Sequence, residues 1–280
     1  MKFEELFSHS FQHLRASFLT TEQLLQPMVG KMLSTESRFC QEAVAAGLIS
    51  QEGMRLAAQR YLLGRSRSNE TVFWMIDDRL RVRDGMVGDS WASVLLKERG
   101  LIDRQWCPQH CLFGLHLLGH TEITKSAEIQ RHTEITEITE RHSHIDYTDL
   151  TDITEKLSTP RAEGSNFRDF SDFCVTNKNV CVVESVRSCV VLSERFPKYL
   201  WMATGYLANL NERLFLPLKG HHVVCFPATD PTGDTYLLWL SVAKEARKYG
   251  IDISVSRLLE DRASMEQKEQ GIDLVAFLLT

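Results

Sequence analysis

The 280-residue sequence has no apolar run near the ~18 residues that a transmembrane helix needs, which argues against an integral helical membrane protein. The amino end, Met1-Lys2-Phe3-Glu4-Glu5, lacks a basic start and an apolar stretch leading to a small-residue cleavage site, so a cytoplasmic location without membrane partners is expected. No Cys-x-x-Cys pair occurs, and the seven cysteines are an odd number. Cys181, Cys189 and Cys225 lie in apolar stretches, where a reduced thiol acts as a small hydrophobe, so no disulfide framework is expected. A large positive excess is also missing. The net charge is −5, which argues against coating nucleic acid by bulk electrostatics and leaves only a local basic face open.

The charge is unevenly placed. Residues 121–163 carry ten acids against five Lys/Arg, so this stretch accounts for the whole negative excess. Between Arg55 and Arg104 the balance reverses, with ten Arg/Lys against seven acids, and Arg79, Arg81 and Arg83 alternate. On a strand, residues two apart share a face, so these arginines are a candidate basic stripe, although a solvated hairpin surface is the favoured reading.

Residues 1–119 read as a helical and β-hairpin region. Thr21 is positioned to cap a helix through Leu25, Met28 and Met32, kinked at Pro27, and Ser50 through Gly64 runs from a cap residue to a terminating glycine. Thr71–Ile76 and Leu80–Arg83 flank Asp77-Asp78-Arg79 as an antiparallel hairpin, with a short helix from Trp91 to Gly100. Residues 120–165 repeat a Thr-acid-Ile unit far too short for a solenoid, and read as a low-complexity insertion or linker. Its histidines, His120, His132, His142 and His144, are irregularly spaced and fit solvated positions better than metal ligands. Cys107, Cys111, His116 and His120 have spacings near zinc-finger values, but Cys111-Leu-Phe113 fits a core segment better.

Residues 166–280 change character. Asn179–Glu184 is a continuous apolar run ending in an acid, the pattern of a strand buried on both faces. Tyr199–Thr204, His222–Phe226 and Ile251–Val255 repeat it, with helical stretches between, which predicts an α/β fold with a mostly parallel sheet. Ligands bind beyond the carboxyl ends of such strands, and there the sequence places Glu184 and, shortly after the third run, Asp230. Carboxylates at neighbouring strand ends suit a hard cation such as magnesium, although structural carboxylates at strand ends are common.

These residues carry a resemblance. Val182-Val-Glu-Ser185, Ala203-Thr-Gly205 and Val223-Val-Cys-Phe-Pro-Ala-Thr-Asp-Pro-Thr-Gly233 follow the order of a Toprim domain: strand with Glu, strand with Gly, strand with Asp-x-Asp-x-x-Gly. Further stretches, Val72–Asp77, Arg81–Gly85, Cys111–Leu118, Trp201–Gly205 and Val255–Leu259, resemble a narrower group of Toprim-like, primase-like proteins of bacterial mobile elements. The resemblance implies a Toprim-like sheet and magnesium-dependent phosphoryl transfer on nucleic acid. It implies Glu184 as general acid/base, Asp230 as a magnesium ligand, and Gly205 and Gly233 as motif glycines. DNA or RNA and replication or mobilisation proteins would be the partners, with Arg79, Arg81, Arg83, Arg187 and Lys219 as cationic contacts to phosphate. The departures are specific. Ala228 stands where the first Asp is expected, Leu115 where the group has Glu, Val186-Arg187 where it has Glu-Lys, and Ala276 where it has an acid. A degenerate metal site is therefore expected, and a non-catalytic binding or scaffolding domain is the alternative.

Because the Thr/Glu/Ile repetition offers no single apolar face, replacing residues 121–163 by a short Gly/Ser bridge is expected to leave a soluble protein with a nearly unchanged melting temperature. Insolubility or a much lower melting temperature would make the segment structural.

Overall fold

The computed structural model describes residues 29–31, 34–79, 81–118 and 179–279. The 120–165 insertion and the start of the helix predicted from Thr21 lie outside the described residues, but Val29–Lys31, which that helix would have included before Met32, form a strand paired with residues 64–66, so the helical expectation fails there. Two sheets organise the rest. The first is antiparallel, with strands β1 (Val29–Lys31), β2 (Gly64–Ser66), β3 (Thr71–Ile76), β4 (Val82–Val87) and β5 (Ser90–Trp91) in sequential order. Helices α1 (Arg38–Ala45) and α2 (Gln51–Tyr61) precede β2, and α3 (Ala92–Glu98) follows β5. The second sheet contains β6 (Asn179–Val183), β7 (Leu200–Ala203), β8 (His222–Phe226) and β9 (Asp252–Val255), all parallel, in the order β7-β6-β8-β9. Helix α4 (Val186–Arg195) connects β6 to β7 and α5 (Asp234–Lys248) connects β8 to β9. Three short helices, α6 (Leu258–Arg262), α7 (Met265–Glu269) and α8 (Leu274–Leu279), complete the described chain. The expected mixed α/β class with a parallel sheet is what the chain adopts.

Local chemistry sets the element ends. Ser50 caps α2, its hydroxyl accepting from the Gly53 amide at 2.9 Å. The expected stop at Gly64 comes earlier: Leu62 takes a left-handed conformation with φ 54°, which turns Leu63 into the core, and Gly64 already belongs to β2. The hairpin forms as expected, but its second strand runs from Val82 to Val87, because Asp77 accepts from the Arg79 and Arg81 amides and closes a longer turn. Along β3 the two-residue period divides the side chains between faces. Val72, Trp74 and Ile76 pack with Ala92, Leu96 and Ile102, while Phe73 and Met75 join the main core.

That main core is shared by both sheets. It runs from Cys40, Ala57 and Tyr61 through Phe73 and Phe113 to Val182, Met202 and Cys225. Phe113 is the tie. Its amide donates to the Ala203 carbonyl at 2.8 Å and its carbonyl accepts from the Ala203 amide at 3.1 Å, pairing the free edge of β7. Its ring stacks on Tyr61 at 4.9 Å and meets Phe73 edge-on at 5.9 Å, while the Tyr61 hydroxyl donates to the Trp201 carbonyl at 2.9 Å. Among the described residues no helix is long and apolar enough to cross a membrane.

The first sheet approaches the chain closely at Gly205, just beyond β7. Its φ of 86° favours glycine, and a Cβ there would lie 2.8 Å from Met75 Cε and 3.1 Å from Met86 Sδ. Gly220, with φ 93°, has nothing within 4 Å of its Cβ position. Gly220→Ala should therefore lose only the left-handed backbone term, about 1–2 kcal/mol, and Gly205→Ala about 1–3 kcal/mol more from overpacking. Equal losses in urea denaturation would remove the close approach from the account.

Candidate functional site

The carboxyl ends of β6 and β7 and the loop after β8 open into a cleft of about 560 Å³. The β4–β5 turn, with Gly88 and Asp89, lies on one side, and Gln270–Ala276 forms another wall. Glu184 enters because β6 ends one residue before it and Ser185 caps α4 one residue after, accepting from the Ser188 amide at 3.2 Å. The Glu184 backbone carbonyl accepts from the Gly205 amide at 2.9 Å, and its Oε1 accepts from the Leu207 amide at 3.2 Å. Burial pushes the Glu184 carboxyl above its ordinary pKa; the Leu207 amide opposes the shift and the neighbouring Asp273 charge adds to it.

Asp273 is the cleft residue that sequence reasoning missed. Its Oδ1 accepts from the Ala276 amide at 2.9 Å in the first turn of α8, and its Oδ2 accepts a short hydrogen bond from the Ser188 hydroxyl. An Asp just before the apolar run Leu274–Leu279 is a helix-cap signal, but nothing in the sequence places that cap beside Glu184. Arg187, in the first turn of α4, reaches Asp89 at 3.8 Å in an exposed pair, a geometry generally worth under about 1 kcal/mol. The cleft thus holds Asp89, Glu184 and Asp273 against Arg187, with Val186, Ala228 and Ala276 as apolar patches.

The chain has a partial counterpart among known families. Residues 172–229 match the model of a Domain of unknown function (DUF6371). The match takes in Glu184, Gly205 and Ala228 and ends before Asp230. No curated protein and no solved structure matches the chain.

The other candidates are spread across the molecule. Asp230 does not line the cleft. Its Oδ1 accepts from the Thr232 amide at 2.9 Å, the Thr232 hydroxyl at 2.7 Å and the Asp234 amide at 3.2 Å, and its Oδ2 from the Thr235 amide at 2.7 Å. Burial works against its charge, but hydrogen bonds from the Thr232 hydroxyl and the Thr235 amide outweigh it and hold the carboxyl well below the usual range. Gly233, with φ 77°, completes this turn into α5. Arg81 and Arg83 converge on buried Asp77, their Nε atoms 2.8 and 2.7 Å from its Oδ2, while Arg79 lies in the turn before β4. Lys219 precedes β8 and lies beside Gly250, ahead of β9, at the amino end of the sheet away from Glu184. Cys111 is buried in the core, and His116 Nε2 is 3.0 Å from the Arg60 carbonyl oxygen.

Among the described residues no three His, Cys, Asp or Glu side chains group to hold a metal. The donors do not fit a three-carboxylate magnesium site. The Asp230 oxygens are taken by its own turn, Ala228 offers none, and Asp273 is engaged by Ser188 and Ala276.

The two strand-end acids should show opposite pH signatures. The Asp230 pKa is depressed in the fold, so its stabilisation is present above the unfolded value near ~3.9 and is lost as pH falls through the folded value. Asp230→Ala should cost on the order of 1–2 kcal/mol at neutral pH, with the gap shrinking in acid. The Glu184 pKa is raised, so ionisation destabilises the fold above the folded value and contributes nothing below about 4.3. Glu184→Gln should therefore melt higher than wild type at neutral pH, with the difference vanishing near that value. A Glu184→Gln variant that melts lower at neutral pH would contradict the burial of this charge.

Proposed function

We propose that the chain is a Toprim-like protein of nucleic-acid transactions, primase-like in kind, whose cleft takes the phosphate backbone of DNA or RNA and whose metal site is degenerate. One observation carries this reading. Glu184, Val186, Arg187, Gly205, Ala228 and Ala276, six of the positions that the resemblance singles out, line one cleft although up to 92 residues separate them, while Leu115, Asp230 and Gly233 lie outside it. The parallel sheet with Glu184 at the end of an inner strand supports the same reading, because ligands of open α/β sheets bind beyond the carboxyl ends of the strands.

The chain's own groups set what such binding looks like. Arg187 and the first turn of α4, with Ser185 as its cap, are the groups in the cleft that favour an anion. Asp89, Glu184 and Asp273 oppose one, so phosphate binds weakly and is readily screened by salt. Burial favours the neutral form of Glu184, in which its carboxyl would add a donor to those of Arg187 and the α4 amides.

A second reading, a non-catalytic binding or scaffolding domain, is favoured by the apolar Val186, Ala228 and Ala276 in the same cleft. The two readings separate on oligonucleotide affinity. A labelled single-stranded oligonucleotide is expected to bind the full chain with magnesium at low salt, to weaken about threefold between 50 and 200 mM salt as one phosphate contact requires, and to weaken further with Arg187→Ala. Ala228→Asp should make that binding, and the melting temperature, more magnesium-dependent than in wild type. No oligonucleotide binding at low salt, or equal affinity of wild type and Arg187→Ala, would leave the scaffold reading.

A further inference from the structure

The chain leaving β7 carries Tyr206 into the wall of the cleft. Glu184 holds the backbone on both sides of it, its carbonyl accepting from the Gly205 amide at 2.9 Å and its Oε1 from the Leu207 amide at 3.2 Å. The ring is held as well. It meets Trp91 edge-on at 5.4 Å, and Trp91 in turn stacks on His110 at 4.1 Å. Fully buried Asp84 anchors that stack. Its Oδ2 accepts from the Ser93 hydroxyl at 2.6 Å and lies 3.0 Å from His110 Nε2, while its Oδ1 accepts from the Ser93 amide at 2.9 Å.

One group in this arrangement is left over. The Tyr206 hydroxyl is buried and has no hydrogen-bond partner among the described residues, so it has given up hydration without compensation. The charges that act on it belong to Asp89 and Arg187, which line the same cleft. Burial raises its pKa, with Asp89 adding to the shift and Arg187 opposing it, so at neutral pH the hydroxyl keeps its proton and is a donor. Arg187 reaches Asp89 only at 3.8 Å, and the two side chains are 52% and 98% exposed, so the guanidinium can turn to an entering anion.

We infer that the Tyr206 hydroxyl is a phosphate-binding donor that acts beside Arg187, the ligand supplying the acceptor that the protein does not. The inference rests on the reading of the cleft as a phosphate site. A phosphate oxygen draws Arg187 from Asp89 and satisfies the phenol in the same step, and hydrogen bonds to an ionised acceptor are roughly twice as strong as neutral ones.

Tyr206→Phe removes the hydroxyl and keeps the ring. Binding of inorganic phosphate to the full chain, followed by phosphorus NMR at low salt, is expected to weaken about tenfold in this variant. Its melting temperature without phosphate is expected to stay the same or rise, because the lost hydroxyl has no partner in the fold. A lower melting temperature with unchanged phosphate binding would make the hydroxyl structural and overturn the inference, as would no phosphate binding by wild type. The single-stranded oligonucleotide separates this inference from the reading beneath it. Tyr206-dependent phosphate binding without oligonucleotide binding would keep the donor and reject the nucleic-acid ligand. Oligonucleotide binding that falls with Arg187→Ala but not with Tyr206→Phe would keep the nucleic-acid reading and reject the donor.

Discussion

The paired backbone hydrogen bonds between Phe113 and Ala203 are the constraint on which the rest of the molecule depends. β7 is an edge strand, and an unpaired edge leaves amides and carbonyls without partners. Phe113 closes that edge and inserts its ring between Tyr61 of α2 and Phe73 of β3, so one residue joins the parallel sheet, the antiparallel sheet and a helix. Two residues beyond Ala203 the chain reaches Gly205, where the absence of a side chain lets Met75 and Met86 approach. The cleft follows from that approach, since it carries the β4–β5 turn to the mouth of the parallel sheet.

Within the cleft, charge and burial oppose each other. Glu184 pays a desolvation cost that its single amide partner does not offset, and the nearby Asp273 charge increases that cost. Asp230 is the contrast. Its oxygens are satisfied by four donors of its own turn, and it serves as the start of α5.

Much of this architecture was legible in the sequence because the signals are local. The apolar runs of β6 and β8, the cap at Ser50 and the hairpin around Asp77 each follow from a few adjacent residues. The fate of Asp230 was not legible, since extended backbone would aim it beside residue 228, whereas the Asp-Pro-Thr-Gly turn folds its carboxylate back onto its own amides. The arginines of the hairpin were a candidate stripe, with a solvated hairpin surface the favoured reading; Arg79 lies in the turn, and Asp77 gathers Arg81 and Arg83. Asp273 was invisible for another reason. It lies 89 residues from Glu184, and only the docking of α8 against α4 brings the two together.

Through Phe113 the two sheets share one core and should unfold as one cooperative unit, with the cleft as its product. Native-state hydrogen exchange measures this most directly, because each amide reports the free energy of the opening that exposes it. The amides of Phe113 and Ala203 should exchange only through global unfolding, with the same free energy and denaturant dependence as those of Phe73 in β3 and Val182 in β6. Exchange of Phe113 and Ala203 through a smaller opening, while Val182 remains protected, would show that the sheets part before the molecule unfolds and would contradict the account.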